Sequence, residues 1–143
     1  MSKTSQWIGA LLLAASLLLP AWSCDVPPKA GDSAGRIERV DVSYFPTGLN
    51  ELPGAFAFLL PFGVLVVRRG TGGSRPGRVL FWLQPVAFGP AVALLATPAI
   101  QLRSIFHPAV GFWIAAAGII LGIVGWAAEL TSRKQDRIKP RAA

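Results

Sequence analysis

The sequence predicts an all-α membrane protein, a small antiparallel helical bundle of three to four transmembrane segments with a short extracytoplasmic segment. Three observations carry this. Of the 143 residues 52% are hydrophobic and only 15% charged, against about 25% charged in soluble domains. From Val79 to Ala128 two long apolar runs contain ionisable residues only in the link between them, at Arg103 and His107. Lysine and arginine also concentrate on alternate connections between apolar runs, the asymmetry that orients membrane proteins.

The net charge of +7 and the pI near 10.8 do not point to nucleic acid. The basic residues flank apolar runs, and no basic stripe is interleaved with aromatics. Attraction to anionic head groups of membrane lipid accounts for the same excess. One cysteine and one histidine leave no internal disulfide and too few ligands for a zinc site, so neither metal nor cofactor is expected.

Residues 1–23 begin with Lys3 and continue as the apolar run Trp7 to Trp22, closed by Pro20. The run is at or below the roughly 17 residues of a short membrane span. It reads equally as an uncleaved signal anchor or as a signal peptide ending at Ala21-Trp22-Ser23. A third reading makes Cys24 a candidate lipidation site, although Ala21 and Trp22 depart from the usual lipobox residues.

Residues 24–52 form the one sizeable polar segment. Pro27-Pro28, Gly31 and Gly35 mark a turn-rich first half. In the second half Val40, Val42 and Tyr44 alternate with Asp41 and Ser43, which is strand periodicity. An isolated strand is marginal in water. A loop on the head groups is therefore preferred to a docking strand for an extracytoplasmic partner.

The membrane domain, residues 53–128, holds three apolar helices at about 53–67, 79–102 and 109–128. The first is short for a bilayer and carries Pro61 at its middle, where a kink is expected. Arg68 to Arg78 contains four arginines, four glycines and no acid. It lacks the Gly-Lys-Ser/Thr ending of a phosphate loop and reads as a cytoplasmic turn. The second run contains Pro85, Pro90 and Pro98, each freeing a carbonyl one turn earlier, near Phe81, Val86 and Leu94. Gln84 and Thr97 lie beside them and form the candidate polar site of a broken helix.

The third run carries Gly111, Ala115, Gly118, Gly122 and Gly125 at spacings of four, three, four and three. A face of small residues with this period lets helix backbones approach closely, within the chain or between chains. Residues 129–143 are expected to form a basic cytoplasmic tail. Glu129 and Arg103 are expected to reach the interface by snorkelling. His107 reads as an interfacial histidine.

With the N-terminus cytoplasmic and one crossing per run, ten basic residues fall inside and four outside. Residues 24–52 are then extracytoplasmic and the C-terminus cytoplasmic, in what suits a bacterial inner membrane. No ionisable residue lies within the three apolar helices, so proton-coupled transport and intramembrane hydrolysis are disfavoured. The expected function is non-enzymatic: a small membrane subunit, scaffold or assembly factor. It would act by helix packing and partner docking, with other membrane chains or copies of itself as partners. The alternative is a channel or transporter component using the proline-broken helix.

Overall fold

Apolar residues spaced for helices build four columns, and the polar links between them set where each column stops. The computed structural model describes residues 2–26, 38–43, 52–72, 74–101 and 106–138. In chain order the elements are α1 (Ser2–Ser16), β1 (Trp22–Val26), β2 (Glu38–Val42), α2 (Leu52–Thr71), α3 (Arg75–Ala87), α4 (Gly89–Gln101), β3 (Phe106–Pro108) and α5 (Val110–Ile138). Among the described residues three stretches are long and apolar enough to cross a membrane: Leu52–Thr71, Arg75–Thr97 and Val110–Gln135. This is the composition of an integral membrane protein. Large apolar side chains also cover the outside of the bundle, with Phe56 and Val86 each 66% exposed.

The fold is mostly helical but not all-α. Three short strands form an antiparallel sheet in the order β2-β1-β3. Trp22 sits opposite Val42 and Pro108, and Ser23 opposite Asp41 and His107. The all-α expectation failed because β1 and β3 show no period of their own, and the alternation visible at Val40 and Val42 had no partner strand in view. The preferred reading of residues 24–52 as a loop is corrected over Glu38–Val42, where β1 supplies the partner. Tyr44 and the turn-rich stretch 27–37 lie outside the described residues. Backbone bonds fasten the sheet to the helices: Ala21 N–H donates to Val42 O (2.9 Å), Ala109 N–H to Ala21 O (3.0 Å) and Gly111 N–H to Pro20 O (2.8 Å).

Several helix limits also differ from expectation. α2 has 20 residues and runs unbroken through Pro61, so at 1.5 Å per residue it spans about 30 Å rather than falling short. Arg68 and Arg69 belong to its last turn, where cations suit the negative end of the helix dipole. Gly72, at φ 55°, ends the helix in the left-handed region that glycine enters without steric cost. Arg75 already belongs to α3, with a proline in the first helical positions, so Arg75 and Arg78 are helical rather than part of the expected arginine turn. The run 79–102 divides at Phe88, whose N–H reaches back to Pro85 O (3.3 Å) while its carbonyl receives Val92 N–H (3.0 Å). α5 does not stop at Ala128 but continues to Ile138, so the start of the expected tail is helical. Thr131 and Ser132 bond back to carbonyls of the preceding turn, at Ala128.

α1 and α5 run antiparallel in close contact. A β-carbon on Gly9 would lie 2.6 Å from Gly118 O, and one on Gly118 would lie 2.7 Å from Gly9 O and 2.9 Å from Leu13 N. Farther along, a β-carbon on Gly111 would lie 2.7 Å from Pro20 O. The core between the columns is built from Leu13, Leu17, Phe58, Phe88, Leu95 and Ile119 with interleaved alanines. One end of the bundle carries the sheet. The other carries the start of α1, the α2–α3 turn and the far end of α5.

Candidate functional site

Each column turns one seam inward at alternating spacings of three and four, the repeat of helices that pack side by side. On α1 the buried seam includes Gln6, Ala10, Leu13 and Leu17; on α2, Phe58, Pro61 and Leu65, with Arg68 next in step. On α3 and α4 it is Gly77, Phe81, Gln84, Phe88, Ala91 and Leu95. On α5 it is Gly111, Ala115, Gly118, Gly122, Gly125 and Glu129. Gln6, Arg68, Gln84 and Glu129 are the long polar members of these seams, one per column. They meet at the end of the bundle away from the sheet.

The Arg68 guanidinium is the hub. Its Nη2 donates to Glu129 Oε1 and its Nη1 to Gln84 Oε1 (2.6 Å) and Gln6 Oε1 (3.1 Å). Gln6 Nε2 donates to Glu129 Oε2 (2.9 Å) and to Gly125 O (3.0 Å). Gln84 Nε2 closes the ring on Gln6 Oε1 (3.1 Å). From the rim, Arg133 adds Nε and Nη2 bonds to Glu129 Oε1 (3.1 and 2.7 Å). The Arg68 and Arg133 guanidinium carbons lie 4.8 and 4.5 Å from the Phe81 ring centre, within the range of a cation–π attraction. Among the described residues, no buried side-chain nitrogen or oxygen lacks a partner. The arrangement joins all four columns through the Arg68 guanidinium, whose charge the Glu129 carboxylate neutralises. That carboxylate already accepts from two guanidinium groups and an amide, so it is bound up as an acceptor.

Sequence reasoning separated these residues. Glu129, expected to reach the interface, is instead 4% exposed, because α5 continues past it and Arg68 supplies its counter-charge. Arg68, read as part of a cytoplasmic turn, is drawn inward by the same pair. Gln6 went unnoticed inside a signal-like run. Gln84 was singled out, and the structure buries it completely. Its companion Thr97 does not join it, since Thr97 Oγ1 donates to Ala93 O of its own helix (2.8 Å). The carbonyl of Phe81, freed by Pro85, receives Trp126 Nε1–H at 2.9 Å.

The small-residue face of α5 is occupied within the chain. Gly111 faces the Leu19 and Pro20 carbonyls, Gly118 faces Gly9 and Leu13, and Gly122 faces the Phe88 ring. Ala115 is fully buried, and the Gly125 carbonyl is held by Gln6.

At the opposite end the sheet is two-faced. Trp22 turns inward onto Phe112, ring centres 4.9 Å apart. Alternation along the strands places Ser23, Asp25, Arg39, Asp41 and His107 on the other face. There Ser23 Oγ donates to Asp41 Oδ1 (2.8 Å), Arg39 Nε donates to Asp25 Oδ1 (3.2 Å), and His107 Nε2 lies 3.1 Å from Asp25 Oδ2. Hydrogen bonds from Arg39 and then His107 hold the Asp25 carboxyl below its ordinary pKa. Cys24 is half-buried on the central strand as a free thiol. Among the described residues no three His, Cys, Asp or Glu side chains gather as a metal site.

The chain matches no known protein family, and comparison with curated proteins and with solved structures finds no match.

Proposed function

We propose that this chain is a small membrane scaffold or assembly subunit that works through its sheet-bearing end, with no chemistry of its own. The observation that carries the reading is the polar face of the sheet. Five hydrogen-bonding or charged side chains, Ser23, Asp25, Arg39, Asp41 and His107, stand together on one face beyond an apolar bundle. A fixed array of this kind suits recognition of another chain, because opposed charges set register and exclude wrong partners.

Two further features support this reading over a conducting pathway. The polar cluster is closed on itself at one end of the bundle. Nearer the sheet, Ser16 and Thr97 each bond a carbonyl of their own helix, so neither offers a step for a solute. The small-residue face of α5 is filled by α1 and Phe88, which leaves partner docking to the sheet rather than to that helix.

In this reading the sheet is extracytoplasmic and both chain ends are cytoplasmic, in a bacterial inner membrane. The ten-to-four distribution of basic residues supports that orientation. Residues 1–23 remain attached. Their loss would remove Gln6 from the cluster, Gly9 and Leu13 from the α5 contact, and Trp22 from β1. Retention of these residues also leaves Cys24 within the chain, without the new N-terminus that lipidation requires.

The test is purification in mild detergent with identification of a defined partner chain, repeated with Asp41→Lys. The partner should be lost while the thermal unfolding of the bundle is unchanged. Solute or ion flux through liposomes holding the purified chain alone would overturn the scaffold reading in favour of a channel.

A further inference from the structure

Beside the buried cluster lies an open cleft of about 690 Å³, between the first turns of α1 and the last turns of α2, with Arg133 of α5 on its rim. Lys3, Arg68, Arg69 and Arg133 line it, and among the described residues no carboxylate does. Among the described residues the acid beside it is Glu129, already engaged by Arg68, Arg133 and Gln6. Counted over the described residues, four cationic groups against one carboxylate leave a local excess of three positive charges. Among the described residues, Lys3 and Arg69 have no hydrogen-bond or ion-pair partner. Trp7 and Leu65 make the wall apolar, and apolar side chains are exposed farther along the same two helices, at Ile8, Leu11, Leu60 and Val66.

We infer that this cleft seats the phosphate of an anionic membrane phospholipid, with Lys3 and Arg69 as the groups that hold it. An unpaired basic pair beside an already satisfied carboxylate has charge to offer an anion. The apolar wall gives the same ligand a place for the start of its acyl chains, which a soluble phosphate lacks. Lipid head groups lie at this level when α2 and α5 cross the bilayer, and basic pockets between helices are known to hold such head groups. The net excess favours a head group with two negative charges, such as a phosphate monoester, over one with a single charge. The inference rests on the membrane placement of the helices and is independent of the sheet's proposed docking role.

The experiment is native mass spectrometry of the full chain in detergent, titrated with phosphatidic acid, phosphatidylglycerol or phosphatidylcholine. Phosphatidic acid should bind most tightly and phosphatidylcholine least. Lys3→Gln/Arg69→Gln should weaken phosphatidic acid binding about 25-fold, at roughly five-fold per basic residue. Because neither side chain has a partner among the described residues, unfolding without lipid should stay unchanged. The control Arg75→Gln/Lys134→Gln removes the same charge at the same end, outside the cleft, and should weaken binding less than about two-fold, as screened surface charge does. Equal losses in both pairs would reduce the effect to diffuse surface attraction and overturn the site. Binding of glycerol 3-phosphate as tight as that of phosphatidic acid would also overturn it, by making a soluble phosphate the ligand.

Discussion

Glu129 and Arg68 show how one residue on a packing seam can change what an end of a bundle is for. Each occupies the next inward position of a seam that is apolar or small up to that point, so neither is free to leave the core without unwinding its helix. The Glu129 side chain is 6% exposed and that of Arg68 11%. Removal of one partner from such a pair leaves a buried charge uncompensated, at a cost of about 3–5 kcal/mol, whereas replacement of both by apolar groups is often neutral. Glu129→Met should therefore destabilise strongly, since Arg133 is half-exposed and can turn to solvent, whereas Arg68 is mostly buried and loses its counter-charge. Arg68→Met/Glu129→Met should recover most of the loss, with Gln6 and Gln84 still bonded to each other and Gln6 to Gly125 O. Thermal unfolding in detergent makes the comparison. A double variant as unstable as Glu129→Met would show that the two charges are not coupled.

The same cluster marks the limit of what could be read in advance. The five small residues of α5 were legible as one face, and continuation of their alternating spacing by one step reaches Glu129. Gln6 stands at the head of an equivalent series on α1, and Arg68 follows Leu65 in step on α2. The signal was present, but attention to charge separated from apolar runs assigned Arg68 to a turn and Glu129 to the interface. What no single stretch could reveal is that four seams converge at one level, because that depends on how the columns are set against one another.

Among elements, α1 and α5 form the contact on which the bundle most depends. Their backbones approach so closely at Gly9 and Gly118 that a β-carbon on either would fall within 3.0 Å of backbone atoms of the other helix. Backbone cannot swing aside as a flexible side chain does. Gly118→Ala should therefore lower stability by about 1–3 kcal/mol, the usual cost of overpacking. Gly63, on α2, has open space where a β-carbon would go. Gly63→Ala should be neutral or stabilising by up to about 1 kcal/mol, following intrinsic helix propensity. Opposite signs for the same chemical change would separate a packed glycine from a merely helical one. The Gly118→Ala loss should also be independent of protein concentration, because the partner helix belongs to the same chain. A loss that disappears on dilution would assign the small-residue face to an interface between chains.

At the scale of the whole molecule, the three long apolar runs were legible as helices because mean hydropathy over many residues is a strong signal. The sheet was not. β1 begins inside the final residues of the first apolar run, and β3 is three residues long in a link that reads as a bare connection. Only the alternation of Val40 and Val42 was visible, without the partner that makes it a strand. Yet the sheet ties the end of α1 to the start of α5, so the first run belongs to the same unit as the last. That linkage sharpens the topology prediction. Asp41 and Ser74 are both exposed, and they lie at opposite ends of the bundle. In a Cys24→Ser background, a membrane-impermeant maleimide applied to intact cells should label Asp41→Cys and leave Ser74→Cys and Lys134→Cys unlabelled until the cells are opened. The intact mass of the same purified samples should match the whole chain, because α1 supplies one wall of the core and one member of the buried cluster. Labelling of Ser74→Cys in intact cells would reverse the orientation. A mass lacking the first 23 residues would mean that the mature bundle closes without Gln6 and Gly9, and the four-column account of its stability would fall.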